Sequence, residues 1–483
     1  MQRVVQKKTP LDFSTAKSII KPFRWMLFFP LYITNLEDRE FLPRGSATIG
    51  SGLFRWSGEL PVANPGSGFY GMSMAIQIQS QKPLVVRLVD RVEAFHALKD
   101  RWNELSDASV YPNIFSTWEW CSIWWKWYGE KELHGKLFLV LIESDDQLVG
   151  LFPLYLLTKG IPGINRTRTL HFIGYGARPT GEYWGPIIRK DWGESVCDAA
   201  LDFFQNQKAE WDSFFFESYA LDDPGTVAFA QKMKEVFLSY SQEDEERFYI
   251  TLPKTYDDYL NSLSRVNRQG KRRRLKLANN RYRAVLRQID ETQLGESFPV
   301  FVELYNQSRE RLGQVSPYKN DDYRQFQQEI LKTLIPLKMA SLLIMDYGEY
   351  PVSMFLTYDY QGRCFFYQTG LSSNNVGSPG DVILQHRLML AIEEKYSEFD
   401  FLRGGEWYKS LYTDVGRKTE MLVLFSGKNK SYFLTFFANH FYRPMRRSAK
   451  RMLLSLLVFF HREKTQESHE REGSDDSNGK TEV

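Results

Sequence analysis

Residues 365–416, FFYQTGLSSNNVGSPGDVILQHRLMLAIEEKYSEFDFLRGGEWYKSLYTDVG, read without interruption as strand, loop, helix, strand and charged turn. Residues 364–368 are short-range aromatic, as strands are, and residues 372–381 are turn formers that end at a good helix start. A helix is expected to begin near Gly380 or Asp381. Beyond it Ile383, Leu384, Leu388, Leu390, Ala391 and Ile392 recur at helical intervals, and residues 397–402 restore strand alternation. The unit is βαβ-like. A helix entered from a Gly/Ser/Pro loop directly after a strand turns unpaired N–H groups and a positive dipole end toward an anion. Ser378, Gly380 and Asp381 are thus candidates to hold a pyrophosphate, and are equally suited to capping the helix and nothing more. The loop is neither a P-loop nor GxGxxG, since no Gly-Lys-Ser or Gly-Lys-Thr follows and the glycines are wrongly spaced.

The second strand runs into Asp400, Arg403, Glu406 and Lys409, crowded around Gly404 and Gly405. Charge packed that densely after a strand serves a site or an ion-pair network. The order Tyr367, Gly377-Ser378-Pro379-Gly380, Leu384, Phe399-Asp400-Phe401-Leu402-Arg403-Gly404, then Glu406 and Tyr408-Lys409, resembles the acetyltransferase-like domain of the CelD-type cellulose and exopolysaccharide biosynthesis proteins. That family is similar to a branch of the GNAT superfamily and to the Fem-type peptidyltransferases. The resemblance covers about residues 85–425 and extends to Glu182, Tyr183, Gly185 and Pro186, where the family more usually has Asp at the first position. It implies acyl-CoA, acetyl-CoA above all, as co-substrate, with no metal.

Acyl transfer from a thioester needs the donor held, a proton removed from the nucleophile and charge on the tetrahedral oxygen stabilised. Glu406 is the candidate base, Tyr367 a proton donor or relay, and Lys409 an oxyanion or phosphate partner, the last carried over from the Fem-type relatives by motif position alone. Glu182, Tyr183 and Arg403 are the substrate-side candidates, although Arg403 with Asp400 also reads as a structural pair.

The 483-residue chain is long enough for two cores, and its net charge of +3 selects no partner. Cys121, Cys197 and Cys364 lie far apart without metal spacing, so buried thiols in a reducing cytoplasm are expected rather than disulfides or zinc ligands. No secretory signal is expected: residues 25–33 are apolar but include Pro30, and nine helical residues reach about 14 Å of a hydrocarbon core about 30 Å thick.

In chain order, residues 1–82 are breaker-rich and are expected to form a poorly ordered extension. The first α/β domain, 83–255, begins with a strand and an amphipathic helix carrying Phe95, Leu98, Trp102 and Leu105. A helix capped by Ser116 or Thr117 follows, with Trp118, Trp120, Trp124, Trp125 and Trp127 on it; an aromatic stripe of this kind is core before it is site. A hairpin turning at residues 144–147, a helix over 194–208 and a strand over 213–218 complete the unit. Residues 256–283 are expected to be a basic linker helix, nine of residues 264–283 being Lys or Arg with no acid among them. Like charges four apart repel by a few tenths of a kcal/mol each, so the helix either meets an anion or is a solvated linker. The resemblance implies that this helix contributes to the cleft floor or to phosphate contacts, with Arg272 and Arg273 as the donor-binding candidates. The second domain, 284–430, repeats helices, meander, helix and strand, which reads as tandem duplication. The fold class is therefore α/β, with two tandem GNAT-like modules on mixed central sheets joined by a basic helix. Residues 431–462 combine Arg443, Arg446, Arg447, Lys450 and Arg451 with an apolar run over 452–460, which fits a helix lying on an anionic membrane surface or packed on the second domain; a disordered tail follows from 463.

The leading expectation is an acyltransferase moving an acyl group from acyl-CoA to an amine or hydroxyl of a sugar or polysaccharide precursor, acting in the cytoplasm or at the inner face of the membrane. The alternatives are a Fem-like transferase fed by aminoacyl-tRNA, to which the basic helix would answer, and a non-catalytic scaffold of a polysaccharide synthase.

Overall fold

The computed structural model describes residues 83–160, 166–176, 181–244, 246–373, 376–404 and 406–427. The extension 1–82, the helix expected at 431–462 and the tail from 463 lie outside the described residues. The first half runs β1 (Val85–Val89), α1 (Val92–Ala97), α2 (Lys99–Asp107), α3 (Trp118–Trp124), β2 (Lys136–Ser144), β3 (Gln147–Lys159), β4 (Thr167–Phe172), β5 (Ile187–Ile188), α4 (Gly193–Asn206), β6 (Ser213–Ala220), α5 (Pro224–Val236) and β7 (Leu238–Glu243). The second runs β8 (Arg247–Thr251), α6 (Tyr256–Ser262), α7 (Arg265–Tyr282), β9 (Ala284–Gln288), α8 (Leu294–Arg311), α9 (Asp321–Leu334), β10 (Ala340–Tyr347), β11 (Tyr350–Tyr360), β12 (Arg363–Leu371), α10 (Pro379–Glu393), β13 (Glu398–Asp400), β14 (Gly416–Arg417) and β15 (Thr419–Phe425).

Two mixed sheets result, and each repeats one plan. In the first, the order is β1-β2-β3-β4-β6-β15-β7, with β5 on β3; in the second, read from the other edge, it is β9-β10-β11-β12-β13-β8-β14. Each begins as an antiparallel run and then adds a parallel pair, β4 with β6 and β12 with β13. Parallel neighbours need a crossover, and α4 and α10 supply the two helices. The next strand in each sheet is distant in the chain: β15 follows β6 in the first sheet, and β8, from ahead of residue 255, follows β13 in the second. β15, the last strand described, lies between β6 and β7, whereas β8 lies between β13 and β14. The boundary at residue 255 expected from sequence is therefore a boundary along the chain and not in space: β8 leaves the first module's sequence for the second sheet, and β15 makes the return exchange.

The tryptophan-rich segment is core, and its core is shared between the modules. Thr117 caps α3 by accepting from the Trp120 N–H. Trp120 then packs edge-on against Tyr358 of β11 and Phe326 of α9, with ring centroids 5.0 and 6.0 Å apart. Lys126 and the Trp127 indole N–H both bond to Glu329 on α9, which fastens the rim of the same seam. One continuous apolar cluster thus runs from α1–α3 and β2–β3 into α8, α9 and β10–β12.

Candidate functional site

β12 and β13 are hydrogen-bonded only from Arg363 opposite Glu398 to Phe365 opposite Asp400, while β12 continues to Leu371. The pairing with β13 ends at Phe365, and β12 continues to Leu371 against β11. α10 starts after the loop that follows β12. Gly377 and Ser378 both adopt left-handed backbone, with φ of 77° and 58°, and Pro379 occupies the first helical turn. A Cβ on Gly377 would stand 2.4 Å from the Tyr282 ring at the end of α7, so only glycine fits this turn. The Ser378 hydroxyl makes no cap, and among the described residues no acceptor meets the N–H of Gly377, Ser378 or Gly380. Side-chain capping by Ser378, one of the two sequence readings, is absent.

Asp381 does not join them. Its carboxylate takes Lys271 and Arg274 of α7, each at 3.4 Å, together with Gln385 and the Tyr412 hydroxyl. Lys271 is 1% exposed, with its ammonium 3.0 Å from the Tyr412 ring centroid, and burial pulls it down to about 8. The basic stretch is thus a helix bolted to the first turn of α10 by Lys271 and Arg274, whereas the expected Arg272 and Arg273 are exposed, Arg272 pairing with Asp257.

Tyr367 stands just beyond the end of the β12–β13 pairing. Its hydroxyl accepts from Gln327 Nε2 at 3.0 Å, Tyr358 donates to Gln327 Oε1 at 2.9 Å, and Gln368 Nε2 donates to Tyr323 at 2.9 Å. Burial drives the Tyr367 phenol well above its ordinary range, so it acts as a neutral hydrogen-bonding group and not as a base. Lys409 is only 2% exposed, and its ammonium is spent: it donates to the carbonyls of Leu402, Arg403 and Gly404 at 3.3, 3.0 and 2.8 Å and pairs with Glu406 at 2.9 Å. The two residues staple the turn after β13. An oxyanion or base role for either requires that staple to open.

Glu182, Tyr183 and Arg403 do come together, at the seam between the modules. Arg403 Nε lies 3.3 Å from Glu182 and its NH2 donates to Ser218 at 2.6 Å. Asp400 is not its partner: that carboxylate takes Arg417 at 2.5 Å, the Tyr183 hydroxyl at 2.8 Å and the Leu402 N–H at 2.7 Å. Sequence reasoning passed over Glu217, Ser218, Asp244 and Arg247, which complete the cluster. Arg247 NH2 bonds Ser218 and Asp244, both at 3.0 Å, and reaches Glu182 at 3.4 Å. The available signal was Glu217 itself, an acid inside the apolar strand SFFFESYA. Burial lifts its carboxyl from the ordinary 4.5 to about 7, against the pull of Arg403. The folded state therefore holds a proton that the unfolded chain releases, and stability from this group is complete below about 4.5 and lost as pH rises through about 7. Glu217→Gln is expected to gain on the parent by up to about 3 kcal/mol between those limits, read as a pH-dependent difference in urea midpoint.

The three cysteines are buried, and burial pushes the Cys197 thiol up to about 12 and the other two higher, which leaves them inert. No group of His, Cys, Asp or Glu among the described residues could hold a metal ion, and no described helix is long and apolar enough to cross a membrane.

A mixed sheet whose parallel pair ends early, with the crossover helix entered through a glycine turn, is the frame on which comparisons with known proteins can be placed. Residues 265–410 match the family described as an acetyltransferase (GNAT) domain, so the stretch from α7 through the stapled turn carries a domain of acyltransferase type. Among solved structures, the chain is similar to a crystal structure of FemX at 13% identity, covering 67% of this chain and 95% of that one with a TM-score of 0.48. It is also similar to L-PGS from Bacillus licheniformis, at 12% identity over 72% and 95% of the chains with a TM-score of 0.43. A tandem GNAT protein from the clavulanic acid biosynthesis pathway, without AcCoA, matches at 11% identity over 72% and 100% with a TM-score of 0.35. No curated protein sequence matches the chain.

Proposed function

We propose that the protein is an acyltransferase that takes its acyl group from acyl-CoA, with acetyl-CoA as the simplest donor, and passes it to an amine or hydroxyl of a sugar or polysaccharide precursor. The observation that carries the donor is the set of N–H groups at Gly377, Ser378 and Gly380, which meet no acceptor among the described residues and lie inside the GNAT-matched stretch where α10 begins. A pyrophosphate there meets backbone donors and the positive end of α10. The thioester arm then runs along β12 beyond its pairing with β13, past Tyr367, whose hydroxyl stays protonated. The sugar acceptor is supported by the CelD-type resemblance of residues 377–409 and by the placing of Glu182, Tyr183 and Arg403 beside one another. Lys409 and Glu406 hold the turn that presents Arg403.

Calorimetric titration with acetyl-CoA tests the donor. Saturable binding is expected, at least tenfold weaker in Gly377→Ala, because the added Cβ collides with Tyr282 and shifts the turn. A folded parent that takes up no acetyl-CoA would overturn the reading.

One observation favours a second donor, aminoacyl-tRNA. α7 exposes Arg265, Arg273, Lys276 and Arg281, followed by Arg283, and none of them pairs with an acid among the described residues. Binding of uncharged tRNA that drops steeply with salt, roughly 10³ to 10⁵ fold between low and moderate concentration for six to ten phosphate contacts, would support it.

A further inference from the structure

β6 carries a bulge. Its partner β15 pairs Glu420 with Tyr219 and Leu422 with Phe216, so two residues, Glu217 and Ser218, stand opposite one, and Ser218 takes left-handed backbone with φ 51°. A bulge leaves the ladder locally and re-aims the side chains on it. Here it turns Ser218 and Glu217 toward the segment that follows β13, where Arg403 NH2 bonds Ser218 Oγ at 2.6 Å and Arg403 NH1 stands 3.9 Å from Glu217 Oε1. The bulge also begins just where β6 loses β4, whose pairing ends at His171 opposite Phe215. Arg403, in the segment that follows β13 of the second sheet, therefore reaches the bulge of the first, where it meets Ser218 and Glu182 and stands near Glu217.

Glu217 keeps one oxygen unused. Among the described residues it is the only carboxylate with a buried oxygen, Oε2, that meets no hydrogen-bond donor, although a buried acceptor without a partner is costly to keep. The charges around it are Arg403 after β13, Arg247 at the start of β8, Asp244 after β7, Glu182 ahead of β5, and the Tyr175 phenol. The two guanidinium groups are engaged by Ser218, Asp244 and Glu182.

We infer that Glu217 is the base that accepts the proton of the acyl acceptor, working from the first module on a donor held by the second. This rests on the acyl-CoA reading of the site. The acceptor's N–H or O–H proton passes to Glu217 Oε2 as its nitrogen or oxygen bonds to the thioester carbonyl carbon. The tetrahedral intermediate then breaks its C–S bond, and the proton goes to the departing CoA thiolate. A carboxyl raised to about 7 by burial is matched to that exchange near neutral pH. Glu406, paired with Lys409 and half exposed, has its charge occupied elsewhere.

The test uses the full chain and three readouts. Calorimetry with acetyl-CoA comes first. A diazo reagent that esterifies protonated carboxyls, mapped by peptide mass spectrometry, is expected to label Glu217 in the free protein and to be excluded from it by saturating acetyl-CoA. With glucosamine as probe amine, release of CoA thiol is expected to fall by about 10² to 10⁴ in Glu217→Gln at unchanged acetyl-CoA affinity, with part recovered in Glu217→Asp. Acetyl-CoA that binds without altering the Glu217 label, or Glu217→Gln that releases thiol as fast as the parent, overturns the assignment of Glu217 alone. Absence of acetyl-CoA binding overturns the donor reading and this inference with it. Where glucosamine is not taken as acceptor, the labelling decides.

Discussion

A chain that ends at Lys418 is expected to lose cooperative unfolding in its first module, whereas a chain that ends at Gly427 keeps it. The two differ by β15 and two residues beyond. β15 places Leu422, Val423, Leu424 and Phe425 in the interior, between β6 and β7. Burying such side chains is worth about 1.5–3 kcal/mol each, so the loss is on the order of 6–12 kcal/mol, as large as the whole stability of an ordinary domain. Removal also strips the inner edge of β6 of its ladder and detaches β7, for which β15 is the only strand partner among the described residues. The measurement is urea unfolding followed by near-ultraviolet circular dichroism. A sharp, full-amplitude transition in the shorter chain would mean that the exchange of strands is dispensable.

Arg417→Ala is expected to cost roughly 3–5 kcal/mol, because it strands the buried Asp400 carboxylate. The Arg417 guanidinium meets Asp400 at 2.5 Å, and Glu398 and Asp222 at 2.7 Å each, and it lies 4.6 Å from the Tyr249 ring centroid. Asp400 is 0% exposed, and after the substitution its nearest remaining cation is Arg363 at 3.9 Å. The effect reaches the site, since Asp400 also holds the Leu402 N–H and the Tyr183 hydroxyl and so fixes the departure of the turn that carries Arg403. Denaturant titration gives the magnitude. A loss below about 1 kcal/mol, the range of an exposed pair, would show that water relieves Asp400.

Much of the second module was legible because periodicity reports on local structure. The alternation through residues 340–371, the turn formers before Pro379 and the 3.6-residue spacing after it all described elements that form, and the helix begins one residue ahead of Gly380. Partner choice is another matter. RFYIT of β8 and TEMLVLF of β15 both read as short strands, and nothing in their pattern says which sheet accepts them. The basic helix was legible from its charge, but which cations face inward depends on packing: Lys271 turns to Asp381 while its neighbours Arg272 and Arg273 face solvent. For the same reason the dense charge after β13 identified a site region without its wiring. Lys409 looked available in sequence because backbone carbonyls, its actual partners, leave no trace there. Glu217 was visible as an acid in an apolar strand, yet only the bulge at Ser218 gives that acid a direction.

The reciprocal placing of β8 and β15 also sets an order of events during synthesis. As the chain leaves the ribosome, β6 and β7 emerge with the slot between them empty, and β8 emerges long before β13 and β14 exist to receive it. The second sheet can close once β13 and β14 have emerged, but the first cannot close until the residues of β15 are free of the exit tunnel, so the first module waits as an open-edged intermediate for most of translation. Unpaired strand edges of that kind invite aggregation, and chaperone dependence of the nascent chain should fall away once Phe425 has cleared the exit tunnel.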